Sequence, residues 1–182
     1  MANYSVNTCF RLDWPKEACD SLKTAADCIL EKNSLDSLKI EAAITTLHLI
    51  DEHMKNYPNN PKIQSLGTHT REVLLRFLES YEPLGMGIDD HPDGGIIVKD
   101  EDGIFAPYMT ADLLSAIMKD HGIEGVVSFT WSEDCDKHRV GAFSGGGAVV
   151  SANDVRVLHV SDWLEKAAQE MNEDLEENPP AP

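Results

Sequence analysis

The densest run of chemically capable side chains is residues 133–147, EDCDKHRVGAFSGGG. It contains Lys137, His138 and Arg139, the one cluster of three potentially cationic side chains in an acidic chain, followed by Gly145-Gly146-Gly147. Backbone N–H groups of a glycine-rich turn can surround an anion, and a nearby arginine can grip phosphate or carboxylate with two donors. Lys137, His138, Arg139, Gly145, Gly146 and Gly147 are therefore candidate anion-binding residues. The run lacks a Gly-Lys-Ser/Thr and a strand–GxGxxG–helix context. The plainer alternative is a long hairpin loop in which Glu133, Asp134 and Asp136 pair with Lys137 and Arg139.

Two other chemistries are open to the same run. Neighbouring cations favour the thiolate of Cys135, and a Cys–His pair with His138 would make it a nucleophile if the two meet in space. Three acidic neighbours oppose that shift. Cys135-x-x-His138 also offers two metal ligands, with His91, Asp93 or His159 to complete a set. Structural zinc normally shows a second well-spaced pair, which is absent from the sequence, so neither a metal nor a cofactor is expected. Asp100-x-Asp102-Gly103 and Asp89-Asp90-His91-Pro92-Asp93-Gly94 resemble pieces of calcium loops but lack the closing glutamate, and read as turns. His48 and Glu52, with His53 beside them, read as a solvated helix face.

These residues need elements to hold them. Pro15 and the apolar positions Ala18, Leu22, Ala25, Ala26 and Ile29 predict a helix over 15–32 that breaks at Asn33-Ser34. Ile40, Ala43, Ile44, Leu47, Ile50 and Met54 predict a second over 35–56, ended by Pro58. A third is expected over 61–81. Residues 1–81 are thus read as an antiparallel helical unit. Residues 82–94, rich in Gly, Pro and Asp, read as a linker. Residues 95–177 read as an α+β unit. Ile96-Ile97-Val98 and Ile104-Phe105-Ala106 suggest a hairpin, and Thr110 caps a helix ending at His121-Gly122. Strands follow at 125–131, 147–151 and 155–160, and Ser161 caps a last amphipathic helix. The expected fold class is α+β, with a mostly antiparallel sheet carrying helices on one face and a disordered tail at 178–182.

Charge limits the partners. The chain of 182 residues carries 32 acidic and 15 basic side chains, a formal net charge of −17. Residues 1–90 hold 9 basic and 14 acidic side chains, and residues 91–182 hold 6 and 18. Such a chain repels nucleic-acid phosphates and anionic membrane surfaces, and is attracted to basic protein surfaces. Duplex DNA should therefore not bind at physiological salt. A gel-shift titration checks this, and a micromolar complex formed without divalent metal would overturn it. No apolar run approaches the ~20 residues of a membrane helix. The N-terminal residues show no basic region followed by an apolar run, so Cys9, Cys19, Cys28 and Cys135 are read as reduced thiols of a cytoplasmic protein.

One stretch is similar to known sequences. Met109-Thr110-Ala111-Asp112-Leu113-Leu114, Phe129-Thr130-Trp131, Cys135-x-Lys137-x-Arg139-Val140-Gly141-x-Phe143 and Gly145-Gly146-Gly147-Ala148-Val149-Val150 resemble, over residues 109–164, small uncharacterised proteins of phages and plasmids. The resemblance brings no established activity and implies a context in which small proteins antagonise host machinery. Together with the charge it suggests a non-enzymatic interaction protein, a nucleic-acid mimic acting on a host nucleic-acid-binding or defence protein. Its expected contact residues are Asp162, Glu165, Glu170, Glu173 and Asp174 on the last helix. The alternative is a small enzyme or anion-binding protein built on Cys135, Lys137, His138, Arg139 and Gly145–Gly147.

Overall fold

A computed structural model of the chain describes residues 4–41, 57–79, 85–101, 103–135 and 144–177. They form an α+β fold with two antiparallel sheets. The first departure from expectation is at the start. Residues 4–12, assigned above to a helical unit, form strands β1 (Tyr4–Asn7) and β2 (Cys9–Leu12). The signal is a period of two: Val6, Thr8, Phe10 and Leu12 are buried or half-buried, while Cys9 and Arg11 are exposed.

Helix α1 (Lys16–Glu41) follows Pro15. Its Ala18, Leu22, Ala25, Ala26 and Ile29 are buried, as their spacing requires. The expected break at Asn33-Ser34 does not occur, and the helix continues into the segment assigned to a second one. Residues 42–56 of that second helix lie outside the described residues. The helix expected over 61–81 is two pieces, α2 (Pro61–Gln64) and α3 (Thr68–Glu79). No strand occurs among the described residues of 35–81.

The expected linker at 82–94 contains strand β3 (Met86–Asp90), which pairs with β4 (Ile96–Asp100) in register Ile88↔Val98. The hairpin therefore reverses at His91–Gly95. Gly94 and Gly95 there adopt φ of 93° and 75°, which glycine takes without steric cost. The hairpin expected between 96–98 and 104–106 is absent. Ile104 makes only an isolated parallel bridge to Val6.

Helix α4 (Pro107–Asp120) starts three residues before Thr110. Proline suits the first helical turn, so Thr110 lies inside the helix, where its hydroxyl donates to the Ala106 carbonyl at 2.9 Å. Strands β5 (Val127–Cys135), β6 (Ser144–Val150) and β7 (Val155–His159) then lead into α5 (Val160–Glu177). One sheet runs β1-β5-β6-β7 and the other β2-β4-β3.

Thr8 joins the two sheets. Its hydroxyl donates to Thr130 O at 2.7 Å, and its carbonyl accepts from Asp100 N at 3.1 Å. Beside it Phe10 stacks on Phe129 with ring centroids 4.7 Å apart. Leu12, Leu22 and Leu74 share one apolar core with Val98, Leu114, Ile117 and Val150. Residues on both sides of 82–94 thus pack into a single interior.

Candidate functional site

The residues singled out at 133–147 meet different fates. Asp136, Lys137, His138 and Arg139 lie outside the described residues, and Cys135 is described only through the backbone pairing that ends β5 against Tyr4. Gly145, Gly146 and Gly147 are strand residues of β6. Gly146 is flanked by Trp131 and His159, and Gly147 by Thr130 and Leu158. A central strand commits its backbone groups to the ladders on both sides, so Gly146 and Gly147 do not form an anion cradle.

Gly146 has a different physical role. A Cβ there would overlap both the edge of the Trp131 indole and the Leu158 carbonyl. Its absence lets the indole lie across β6, with its ring centroid 6.2 Å from that of His159. Trp131 Nε1 donates to Glu133 Oε1 at 3.2 Å, and the same oxygen lies 2.8 Å from His159 Nε2. His159 Nδ1 in turn lies 2.6 Å from Ser161 Oγ. In the sequence His159 stands out only as a spare metal ligand and Ser161 only as a helix cap. Their link to Glu133 needed the β5-β6-β7 register.

Other marked residues are structural. Arg11 approaches His91 Nε2 at 3.2 Å and donates to Asp13 at 2.6 Å, at the β3–β4 turn. Asp100 Oδ1 accepts from Thr8 N. Among the described residues no group of three or more His, Cys, Asp and Glu side chains is placed to hold a metal. Cys19 and Cys28 are buried, and burial raises both thiols, Cys28 to about 11, which makes them poor nucleophiles at neutral pH.

A pairing that sequence reasoning missed joins α4 to α3. Asp120 Oδ1 accepts from His69 N at 3.0 Å and lies 2.8 Å from His69 Nδ1, while Oδ2 accepts from Thr70 N at 2.7 Å. A carboxylate from one helix thus caps the start of another, satisfying N–H groups without intrahelical partners. Burial opposes ionisation of Asp120, but the hydrogen bonds from Thr70 and His69 outweigh it and hold the carboxyl at about 2. Beside this cap a groove of about 680 Å³ opens between α3, α4 and the β6–β7 turn, lined by Val73, Arg76, Ala116, Lys119 and Val155 among others.

Helix α5 presents an exposed apolar face. Val160, Trp163, Leu164 and Ala167 recur at helical spacing, a pattern that normally marks a buried stripe. Here Trp163 and Leu164 are each 55% exposed, and Val149 and Leu158 on the adjoining strands are exposed too. Of residues 160–170, only Ala167 is half-buried. Asp162, Glu165, Glu170 and Glu173 are exposed along the same helix, and the Asp174 side chain lies outside the described residues. Over Val160–Glu177 seven acidic side chains face one basic residue, Lys166. Among the described residues no helix is long and apolar enough to cross a membrane. No protein-family model, curated protein or solved structure matches the chain.

Proposed function

We propose that this protein is a non-enzymatic interaction protein that uses α5 to engage a basic surface of a larger protein. The observation that carries this reading is the uncovered apolar stripe of α5 set among acidic side chains. Exposed contiguous apolar surface rimmed by polar groups marks interaction sites. The rim also selects the occupant. A second copy would bring its own seven acidic residues against these, and like charges oppose that pairing. A partner with apolar pockets and a lysine- or arginine-rich rim is complementary. The net charge of −17 and the likeness to phage and plasmid proteins extend the proposal to mimicry of nucleic acid on a host nucleic-acid-binding or defence protein.

Two sets of substitutions test it. Asp162, Glu165, Glu170, Glu173 and Asp174 would be replaced by Asn or Gln, and Trp163→Ala would be made separately. Lysate of the host cell supplies the captured partner, and duplex DNA is added as competitor. The carboxylate variant is expected to lower the association rate more than it raises dissociation, about tenfold or more at low salt, because long-range attraction acts on encounter. Trp163→Ala is expected to speed dissociation about tenfold, as loss of an aromatic anchor does. DNA is expected to displace the partner. Capture that ignores salt, the carboxylates and competing DNA would reduce the acidity to a solubility device and end the mimicry proposal.

A further inference from the structure

The structure assigns to Ser161, His159 and Glu133 a hydrogen-bonded relay that we propose activates the Ser161 hydroxyl as a nucleophile toward carboxylic esters with an apolar acyl group. The relay itself uses neither the α5 carboxylates nor Trp163, on which the partner reading rests, although Val160 and Leu164 border both.

Glu133 as a carboxylate only accepts hydrogen bonds. At 2.8 Å its neighbour His159 Nε2 must donate, which in the neutral ring leaves Nδ1 with the free lone pair. The group facing Nδ1 at 2.6 Å is Ser161 Oγ, whose hydroxyl therefore donates to it. That is the tautomer a general base needs, with the proton to be abstracted already directed at the accepting nitrogen. Trp131 Nε1 holds the same Glu133 oxygen at 3.2 Å, so the carboxylate is fixed from a second side. His159 and Glu133 side chains are only 18% and 29% exposed, whereas Ser161 is exposed to an incoming reactant.

The surroundings suit the rest of the step. Ser161 is the second residue of α5, so negative charge growing on an attacked carbonyl develops at the positive end of a helix with unpaired N–H groups. Exposed Val160 and Leu164 give apolar surface to an acyl chain. In the reaction the Ser161 Oγ–carbonyl carbon bond forms and the carbon–alkoxide bond breaks. The hydroxyl proton passes to His159 Nδ1 and then to the departing alkoxide, releasing the alcohol. Water then cleaves the acyl-serine, again giving its proton through His159, so no oxidant, metal or co-reactant is required.

An alkyl fluorophosphonate is the probe, with peptide mass analysis to locate the adduct, and p-nitrophenyl butyrate hydrolysis is the second readout. The adduct is expected on Ser161 and absent from Ser161→Ala. The labelling rate is expected to fall about 100-fold in His159→Gln and about tenfold or more in Glu133→Gln, each checked for native circular dichroism. Failure of the folded protein to label above Ser161→Ala would overturn the proposal. Labelling that ignores both His159→Gln and Glu133→Gln would overturn it as well, because Ser161 would then react only as an exposed hydroxyl. Partner capture by Glu133→Gln, on β5 and off the docking helix, is expected to be unchanged, so a failure here leaves the α5 reading standing and the reverse also holds.

Discussion

Replacing Asp120 by alanine is expected to destabilise the protein by about 3 kcal/mol and to lower its melting temperature by roughly 6–12 °C, although Asp120 lies in no apolar core. The carboxylate side chain is 7% exposed and serves two backbone N–H groups at the start of α3 as well as the His69 ring. Its removal leaves buried donors unpaired, which costs more than the loss of an exposed ion pair. Acid should act through the same group. A carboxyl held at about 2, against an ordinary 3.8, contributes stability that is present above about pH 4 and is lost as pH falls through 2. At 1.36 kcal/mol per pKa unit that contribution is about 2 kcal/mol. Urea titrations between pH 2 and 7 would show the gap between the natural protein and Asp120→Asn narrowing below pH 4. A gap constant across that range would show that the carboxylate charge is not what stabilises the α3–α4 junction.

Gly146→Ala is expected to cost about 1–3 kcal/mol, the range for forcing extra volume into a packed site. The added methyl would overlap the Trp131 indole and the Leu158 carbonyl, so either the ring leaves Glu133 or β6 and β7 separate. Gly147→Ala is the control. The nearest atoms to a Cβ there are 3.6 Å away, an ordinary contact, and a change within about 0.5 kcal/mol is expected. Chemical denaturation followed by circular dichroism measures both. Equal losses at the two positions would mean that glycine is needed for strand flexibility rather than for the indole. The Gly146 variant should also weaken fluorophosphonate labelling, since Trp131 no longer fixes Glu133.

Much of the secondary structure was legible because it depends on near neighbours. Helical spacing placed the buried face of α1 from Ala18 to Ile29, and His121-Gly122 marked the end of α4. Errors arose where one local signal resembled another. Pro61 opens α2 as a proline at the first helical position can, and Pro107 opens α4 in the same way, a stronger signal than the hydroxyl of Thr110. The alternation Val6-Thr8-Phe10-Leu12 marks strands of only four residues each, a period-two signal weak beside the long helical stripe that follows. Glycine and aspartate at 82–94 signalled a turn, which is present at His91–Gly95, but they concealed strand β3.

The candidate sites divide in the same way. Composition alone determined the acidity of the second half and placed Asp162, Glu165, Glu170 and Glu173 on a helix, since charge and helical period are properties of the chain itself. Whether the apolar stripe of that helix is covered is decided only by what packs against it, and Trp163 and Leu164 are left exposed. The glycine run was visible as three letters. Its role was set by register, because only the pairing of Gly146 with Trp131 and His159 shows which ring occupies the missing side chain's place. Glu133 and His159 lie 26 residues apart in sequence and meet through one oxygen and one nitrogen at 2.8 Å. Asp120 and Thr70, 50 apart, do the same through a carboxylate and a backbone N–H. Hydrogen bonds act over about 3 Å, so such partners are chosen by the folded backbone and leave no periodic trace in the order of residues.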